Sequence, residues 1–422
     1  MGGTIRIAII GGGLAGVLIA ICLARKLPLA DIQVFESGTE RSQRGLGIGF
    51  SRIALQALEQ IVPSAAELLK SDAGAVKIGA SRIVIGSGPG AGTVVCDIEG
   101  DEGLAMTRGP LLKALISLLP RDVLHTGMKL TTIEQADDVR LTFEDGTVVT
   151  CDAVIGADGI SSTVRKHVLQ DAGEYSASPV GGWECRNLVS VERATKALGE
   201  ESFQVAREYC WAGDGAFMMH ALVENGTMVQ CIVAAHEKDF PRDRKRPITR
   251  QVLEDAIGAS WFEGPVARGM IEASRLSTSL MLDQETPIGY SIWEHKRTPA
   301  YARGRVCIIG DAAHTTSPYQ GAGGGLAVED ALILGNLLGK ISKVSEIEAA
   351  FKAFDTVRRP RCQAVIDTSR ATGQLLCGQN QDIGVDAMGM AAELDSLFGH
   401  IDALDIEAHN QAALDELRRC LE

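Results

Sequence analysis

The sequence has little of what several common classes of protein require. Aromatic residues make up only 5% of its 422 residues, and 54 acidic against 41 basic residues leave a net charge of −13. Nucleic-acid binding without sequence preference needs a basic face, and single strands also need aromatic platforms, so both activities are disfavoured. The apolar N-terminal segment is interrupted by glycines at 11–13, short of a membrane span, and no signal peptide is evident. We therefore expect a cytoplasmic protein without a membrane anchor.

Paired metal-ligand patterns are absent as well. None of the ten cysteines forms a Cys-x-x-Cys pair, and none of the eight histidines forms a His-x-x-x-His pair. We therefore predict no metal site. Cys96 and Cys307 lie inside apolar runs, which is typical of buried free thiols in a reducing compartment.

The most informative feature that is present is a glycine-rich turn near the N-terminus. A β-type run at residues 5–10 leads into Gly-x-Gly-x-x-Gly, formed by Gly11, Gly13 and Gly16, and a helix-forming run follows. These glycines permit a tight turn, close approach of a pyrophosphate and close helix packing, respectively. A second β-type run ends at Glu36, twenty residues after Gly16, where an acid is placed to bind a ribose hydroxyl. The pattern predicts a dinucleotide site, although another βαβ unit could share the glycines alone.

Two further turns follow apolar strands, one at Asp158 and one at Asp311. Open α/β sheets bind ligands outside the carboxyl ends of their strands, so Asp158 is a candidate for a ribose hydroxyl or a nearby cation. Arg165, in the helix that follows, could offer its guanidinium to a phosphate or a carboxylate. Taken alone, the segment is an ordinary Asp-Gly turn with a solvated arginine. Asp311 suits a hydroxyl on a ribitol chain. Pro318 and the glycine-rich segment 321–325 then precede a helix, whose N-terminus would stabilise negative charge.

The order of the elements indicates an α/β fold with an insertion. Residues 176–296 carry β-type runs with one helix near 250–257, whereas the chain before and after them alternates strands with helices. We predict a Rossmann-like nucleotide-binding domain, an inserted antiparallel β-sheet substrate domain, and C-terminal helices. The predicted limits are 1–73, 97–175 and 297–375 for the nucleotide-binding domain, 74–96 and 176–296 for the substrate domain, and 376–422 for the C-terminal helical segment.

Together, the three turns resemble those of the group A flavoprotein monooxygenases, the family of p-hydroxybenzoate hydroxylase and salicylate hydroxylase. The resemblance covers residues 5 to about 375 and is closest at 304–314 and 328–331. It implies an FAD-binding domain with FAD as cofactor and NAD(P)H as a transient co-substrate. Arg108 matches a family arginine near the flavin, and Pro318 with Gly321, Ala322 and Gly323 should flank the flavin ring. The cofactor-binding residues that it implies are Gly11, Gly13, Gly16, Glu36, Arg108, Asp158, Asp311, Pro318, Gly321, Ala322 and Gly323.

The family reaction implies two catalytic candidates. NAD(P)H reduces the flavin, O2 then gives a C4a-hydroperoxyflavin, and oxygen passes to a small, electron-rich and typically phenolic aromatic compound. A phenol is activated by removal of its proton, for which His220 on a strand of the inserted domain is the candidate. Arg186 matches an arginine near the pocket in salicylate-type relatives. A core histidine and a surface arginine, respectively, are the alternatives.

Other functions remain open at this stage. A monooxygenase acting on a non-phenolic natural product, by epoxidation or oxidative rearrangement, would share the motifs. So would a non-catalytic flavin-binding sensor, which would show no substrate-stimulated oxidation of NAD(P)H. We expect a small-molecule substrate and O2 as partners, no nucleic acid, and a monomer or homodimer.

Overall fold

The computed structural model describes residues 4–39, 47–170, 173–203, 207–237, 241, 243–271 and 279–422, except for the side chains of 99–102, 265, 400 and 402. Within these residues the strands are β1 (Arg6–Ile10), β2 (Asp31–Glu36), β3 (Gly47–Phe50), β4 (Val76–Ile85), β5 (Val94–Thr107), β6 (Leu124–Thr126), β7 (Leu130–Gln135), β8 (Val139–Phe143), β9 (Val148–Cys151), β10 (Ala153–Gly156), β11 (Ser178–Ser190), β12 (Glu208–Gly213), β13 (Ala216–Val223), β14 (Met228–His236), β15 (Lys245–Pro247), β16 (Ile288–Glu294), β17 (Ala302–Arg303) and β18 (Val306–Ile308).

The helices in the same part of the chain are α1 (Leu14–Lys26), α2 (Arg52–Ile61), α3 (Ala65–Ser71), α4 (Arg108–Ile116), α5 (Thr163–Val168), α6 (Val191–Leu198), α7 (Arg250–Ile257), α8 (Pro265–Ile271), α9 (Asp311–His314), α10 (Gly323–Leu338), α11 (Ile347–Leu376), α12 (Ala387–Asp402) and α13 (Ile406–Leu421).

A six-stranded sheet in the described residues has the order β17-β18-β10-β1-β2-β6. Its strands β18, β10, β1, β2 and β6 run parallel to their neighbours. The central strands β1 and β10 are almost wholly buried and apolar, as expected for a parallel sheet covered on both faces. Helix α10 packs against α1 and is apolar nearly all round, because it is buried on all sides.

A larger sheet takes nine strands from the described residues, in the order β15-β16-β11-β14-β13-β12-β4-β5-β3. All of its pairings are antiparallel except that of β12 with β4. Alternate side chains along its strands point to two different cores. We call outer the face that carries Trp183, Cys185 and Met218 and packs on α6, α7 and α8. We call inner the face that carries Phe217 and Ala234 and packs on the end of α11 and on α12.

The C-terminal helices contact both the FAD-binding domain and the inner face of the large sheet. Helix α11 contacts α10, α12 and α13, and it also reaches β12. In the small sheet β7-β8-β9, strands β8 and β9 pair antiparallel as a hairpin. No helix in the described ranges combines the length and the apolar character that crossing a membrane would need.

The predicted fold class is confirmed: an α/β FAD-binding domain carries a large, mostly antiparallel sheet and C-terminal helices. The domain limits stay a prediction. The large sheet nevertheless extends past them, because β3 and the second half of β5 pair with each other inside it, in the register Gly47↔Thr107. Both segments fall within the limits predicted for the nucleotide-binding domain, so the chain passes between the two sheets several times.

Candidate active site

The three predicted turns meet at one edge of the six-stranded sheet. Strands β1, β10 and β18 lie side by side and parallel, so the residues that follow them emerge together. A Cβ atom built on Gly11, after β1, would lie 2.2 Å from the carbonyl oxygen of Ala157, after β10. One built on Gly310, after β18, would lie 2.8 Å from the Cβ of Ala15 in α1. The first two turns are therefore packed backbone to backbone, and the third lies against the start of α1.

The glycine turn has the geometry that the sequence motif requires. Gly11 has φ +111°, which L side chains rarely adopt. A Cβ on Gly16 would lie 1.9 Å from the carbonyl oxygen of Gly11, so only glycine lets α1 begin this close to its strand. Gly13 differs from both, because its Cβ would contact nothing nearer than the Nη2 atom of Arg108, at 3.6 Å.

Gly13 and Arg108 thus face a space bounded by the start of α1. Gly13 is the N-cap of α1, whose first turn holds no acidic side chain, so its free N–H groups and positive dipole end favour an anion. Arg108 begins α4 and adds a guanidinium to the same space. A pyrophosphate fits this cradle by charge and by the absence of a Cβ.

Glu36 lies beside the turn at the end of β2. Its Oε2 atom accepts a hydrogen bond from the Gly12 N–H at 2.7 Å, and its Oε1 atom accepts one from the Gly38 N–H at 2.7 Å. The carboxylate is therefore held by backbone at the position where the fingerprint places a ribose-binding acid. Ribose binding by Glu36 remains a prediction.

Asp158 does more for the protein than the sequence predicted. Its Oδ2 atom accepts hydrogen bonds from the N–H groups of Thr163 at 2.7 Å and Val164 at 3.2 Å, and its Oδ1 atom accepts one from the Ser162 hydroxyl. Burial raises its pKa despite these bonds. The carboxylate thus caps the start of α5. Both carboxylate oxygens of Asp158 already accept hydrogen bonds, so a ribose hydroxyl or a cation would have to share one of them. Binding of either group by Asp158 stays a prediction.

Arg165 in α5 ties the second turn to the third. Its buried guanidinium donates to the carbonyl oxygens of Ala312 at 3.1 Å and Ala313 at 2.9 Å, and to the Thr298 hydroxyl at 2.8 Å. Burial lowers its pKa to about 10. The Arg165 guanidinium, which the sequence suggests as a phosphate ligand, therefore binds the backbone after Asp311 instead.

Asp311 and the loop after it lie on the exposed side of the backbone that Arg165 binds. Asp311 is exposed at the start of α9, and no side-chain hydrogen bond to its carboxylate is found among the described residues. The loop continues through a 3₁₀ turn at Pro318–Gln320 to Gly321, which has φ +62°. Gly323 then begins α10, so Gly321, Ala322 and Gly323 lie at a helix N-terminus as predicted from the sequence. Their contact with a flavin ring stays a prediction.

The inner face of the large sheet carries Arg186. The Arg186 guanidinium donates from Nε and Nη2 to the two carboxylate oxygens of Glu184, both at 2.9 Å, and each side chain is 17% exposed. The two residues alternate along β11 with Trp183 and Cys185 of the outer face, so they point toward the FAD-binding domain. Arg186 is therefore a partly exposed cation on the inner face, and it is neutralised by its neighbour Glu184.

A small cavity of about 20 Å³, enough for about one water molecule, lies where the Pro318 loop, the inner face and α11 meet. Its lining includes Gly182 of β11, Ser317 and Tyr319 of the loop, and Arg370 and Gly373 of α11. The sequence analysis did not identify Tyr319, although its position directly after Pro318 was a usable signal.

Tyr319 is held beside this cavity by two glycines. A Cβ on Gly373 would lie 2.3 Å from the Tyr319 ring, and one on Gly182 would lie 3.3 Å from its hydroxyl. Phe217 meets the ring edge-on, with centroids 6.1 Å apart. Burial raises the pKa of Tyr319 well above its usual value, and the nearby Cys377 and Glu184 add to the rise. Tyr319 is thus a neutral phenol that lies close to the Arg186–Glu184 pair.

His220 lies on the other side of the sheet. It shares the outer face with Met218 and is packed among Phe203, Tyr209 and Trp211. Trp211 Nε1 donates to its Nδ1 atom at 3.4 Å, and its buried Nε2 atom has no partner within the described part of the chain. Burial lowers its pKa to about 3. The structure does not bring His220 and Arg186 together, and it argues against His220 as the base, because a base needs access to substrate and a pKa nearer the working pH.

One buried cluster in the described residues has the donor atoms of a metal site. His314, Asp330 and Cys362 bring one ligand atom each within 4.8 Å of one another. The Arg358 guanidinium donates to Asp330 at 2.9 Å and to Cys362 Sγ at 3.6 Å. A guanidinium thus supplies the positive charge at the point where a cation would have to bind, and it leaves no reason to place a metal there.

The fold and the site together define an FAD-dependent monooxygenase. The glycine cradle with Arg108 accommodates a dinucleotide pyrophosphate, and the exposed Asp311 and the Pro318 loop extend the site toward the small cavity. Residues 129–369 match the family described as FAD binding domain, which is more than half of the chain. The chain belongs to this family, and it is an enzyme that uses FAD.

The similar proteins agree with this assignment. The chain is 31% identical to 6-methylsalicylate 1-monooxygenase of Aspergillus terreus over 97% of its own length and 92% of that protein. It is 28% identical to a salicylate hydroxylase of Pseudomonas putida, covering 94% and 92% of the two chains. A solved salicylate hydroxylase–substrate complex has the same fold, with a TM-score of 0.82, 24% identity, and coverage of 97% and 98%.

Asp311→Ala tests the assignment of the third turn. Loss of a charge-assisted hydrogen bond, worth about 1.5–3 kcal/mol, should weaken FAD binding about ten- to a hundredfold. Titration of the FAD-free protein with FAD, followed by flavin fluorescence, measures the change. Unchanged affinity in a normally folded variant would remove Asp311 from the cofactor site.

Proposed function

We propose that the protein hydroxylates a small phenolic aromatic compound, using NAD(P)H and O2. The observation that carries this proposal is the anion cradle of Gly13 and Arg108 in a chain that is similar over nearly its full length to a 6-methylsalicylate 1-monooxygenase and a salicylate hydroxylase. Bound FAD supplies the redox chemistry, taking hydride from NAD(P)H and activating O2. The protein has to hold the substrate ring, keep water out and manage the phenolic proton.

Tyr319 places an aromatic side chain beside the Pro318 loop. Phe217 meets its ring edge-on, and Gly182 and Gly373 let the ring pack closely against the inner face and α11. Aromatic rings favour such edge-on and offset contacts. The Pro318 loop leads to the α10 N-terminus, where negative charge on a bound cofactor would be stabilised.

The polar end of the substrate has two possible partners on the same side of the sheet. The neutral Tyr319 hydroxyl can donate to or accept from a phenolic oxygen. Arg186 can bind an acidic substituent if it is released from Glu184. The names of the relatives point the same way, because salicylate and 6-methylsalicylate each carry a phenol and a carboxylate. Transfer of that substrate class to this chain is part of the proposal.

Substrate-stimulated turnover tests the proposal directly. FAD-loaded protein should consume NAD(P)H faster when salicylate or 6-methylsalicylate is added, and the product should contain oxygen from isotopically labelled O2. Benzoate, which lacks the hydroxyl group, is the matched control and should give less product. Epoxidation or rearrangement of a non-phenolic compound would replace the phenolic proposal. Absence of stimulation by any aromatic compound would favour the flavin-binding sensor.

The cytoplasmic location also remains a proposal. It is supported by the free state of the ten cysteines, eight of which are buried, as expected in a reducing compartment. A monomer or homodimer is the assembly that we propose, and light scattering of the FAD-loaded protein would distinguish the two.

A further inference from the structure

A buried polar cluster lies directly behind the turn that presents Asp311. We call it the Asp330 cluster; it consists of His314, Glu329, Asp330, Arg358 and His409. Asp330 and Arg358 are each 0% exposed, and His314 is 1% exposed. Buried charges on this scale are costly unless they are well paired, so their arrangement needs a reason.

Asp330 of α10 binds donors from two other segments, the turn at 310–314 and α11. Its Oδ2 atom accepts from the Gly310 backbone N–H at 2.9 Å and is 2.5 Å from His314 Nε2. Its Oδ1 atom accepts from Arg358 Nε at 2.9 Å. Gly310 and His314 flank Asp311 at the two ends of α9, so one carboxylate holds both sides of the Asp311 turn.

Arg358 of α11 carries the connection to the C-terminal helix. Its Nη1 atom donates to Glu329 Oε2 at 2.6 Å and to His409 Nε2 of α13 at 3.2 Å, and its Nη2 atom donates to the Leu326 carbonyl at 3.4 Å. Burial and Arg358 lower the pKa of His409 to about 4, so His409 is neutral and can accept this bond. A continuous chain of hydrogen bonds therefore joins α13 to Gly310.

The charges in the chain alternate. Burial alone would lower the pKa of His314, but Cys362 and Asp330 outweigh it and raise that pKa well above the usual value. Burial alone would raise the pKa of Asp330, but His314 and Arg358 lower it below the usual range. The order is then His314⁺, Asp330⁻, Arg358⁺ and Glu329⁻, and removal of one member takes a hydrogen-bonded, oppositely charged partner from its buried neighbour.

We propose that Asp330 is a positioning residue for FAD, which acts through the Gly310–His314 turn on Asp311 and is itself held by Arg358 and α13. Cofactor affinity and the contact of His409 in α13 with Arg358 are then thermodynamically linked, and each strengthens the other. The proposal concerns FAD binding and goes beyond the proposed function, because it makes no assumption about the substrate.

A double-mutant cycle on FAD affinity tests whether Asp330 acts through Asp311. Asp330→Asn keeps the shape of the side chain but cannot accept from all its donors, and it should weaken FAD binding at least tenfold. If Asp330 acts through Asp311, the variant with both Asp330→Asn and Asp311→Ala should bind FAD little more weakly than the weaker single variant. If the double variant instead weakens FAD binding by the product of the two single fold-changes, Asp330 and Asp311 act independently, and the proposal is wrong. Thermal unfolding of the FAD-free variants reports the fold separately.

A milder pair on α13 keeps the test valid if Asp330→Asn does not fold. His409 contacts Arg358, whereas its neighbour Asn410 bonds to Asn336 of α10 at 2.9 Å. His409→Ala should weaken FAD binding several-fold, and Asn410→Ala should leave it unchanged. Equal weakening by both would mean that α13 acts only through general docking, which contradicts the proposal.

Hydrogen exchange measures the reciprocal effect in the full-length protein. Addition of FAD should slow exchange in α13 more than in α7, which lies on the outer face. The difference should disappear in His409→Ala. Equal slowing in both helices of the unmodified protein would overturn the proposed link. These readouts do not involve aromatic substrates, so failure of the proposed function would leave them unaffected.

Discussion

Gly13→Val should yield a folded protein that contains no FAD. Gly13 has φ −77°, which valine adopts without strain, and its Cβ would contact nothing nearer than Arg108 Nη2 at 3.6 Å. The protein itself therefore tolerates the side chain. The added atoms instead occupy the side from which a pyrophosphate would approach the free N–H groups of α1. Visible flavin absorbance of the purified protein measures the loss.

Two other glycine variants separate this effect from damage to the fold. Gly16→Ala places a Cβ 1.9 Å from the Gly11 carbonyl, so it should lower the unfolding temperature as well as the flavin content. Gly399→Ala in α12 has nothing within 4 Å of its Cβ and should retain full flavin content. A Gly13→Val protein that keeps its flavin would show that the pyrophosphate does not bind at this turn.

The position of the candidate cofactor site was predictable because its signals are local. Gly11 and Gly16 need features that only glycine provides, Gly13 leaves room for a pyrophosphate, and all three stand next to a strand and a helix that the sequence also marks. Convergence of Asp158 and Asp311 follows from a general rule on the carboxyl ends of parallel strands. The sequence thus predicted the convergence of these turns without long-range information.

The detailed roles within the site were not predictable in the same way. The sequence suggests Asp158 and Arg165 as ligand groups. In the structure Asp158 caps α5, and Arg165 binds the backbone of the third turn. The sequence shows that these groups are available; it does not show that other parts of the chain bind them first. Asp330 and Arg358 were missed because their pairing joins α10 to α11 across 28 positions.

The face of a strand residue depends on register. His220 and Arg186 both lie on strands of the large sheet, and a shift of one residue exchanges the two faces. The sequence does not fix which face of β13 or β11 is inner. The structure settles it through the neighbours, because His220 alternates with the inner residue Phe217 on β13, whereas Arg186 alternates with the outer residue Cys185 on β11.

Substitutions of Arg186 and Glu184 should change the KM for an aromatic acid in opposite directions. If Arg186 binds an acidic substituent, Arg186→Ala should raise the KM for an aromatic acid about ten- to a hundredfold, from the loss of about 1.5–3 kcal/mol. It should also increase release of hydrogen peroxide, because a poorly held substrate is oxygenated less often. Glu184→Gln should lower the KM, since it removes the acceptor that competes for the guanidinium. A rise in KM with both variants would mean that the pair only stabilises the sheet.

His220→Ala completes this comparison, because the sequence and the structure make different forecasts for it. A general base contributes about 10²–10⁴-fold, so the sequence prediction requires hydroxylation to slow by that factor while flavin reduction is unchanged. The structure places His220 among Tyr209, Trp211 and Phe203 on the outer face, with a pKa lowered by burial to about 3. We therefore expect a lower unfolding temperature from the cavity that alanine leaves, and nearly normal hydroxylation. Rapid mixing that separates the two half-reactions measures both rates, and a selective loss of hydroxylation would restore His220 as the base. Normal rates would leave the Tyr319 hydroxyl as the group to test for the phenolic proton, with Tyr319→Phe as the shape-preserving variant.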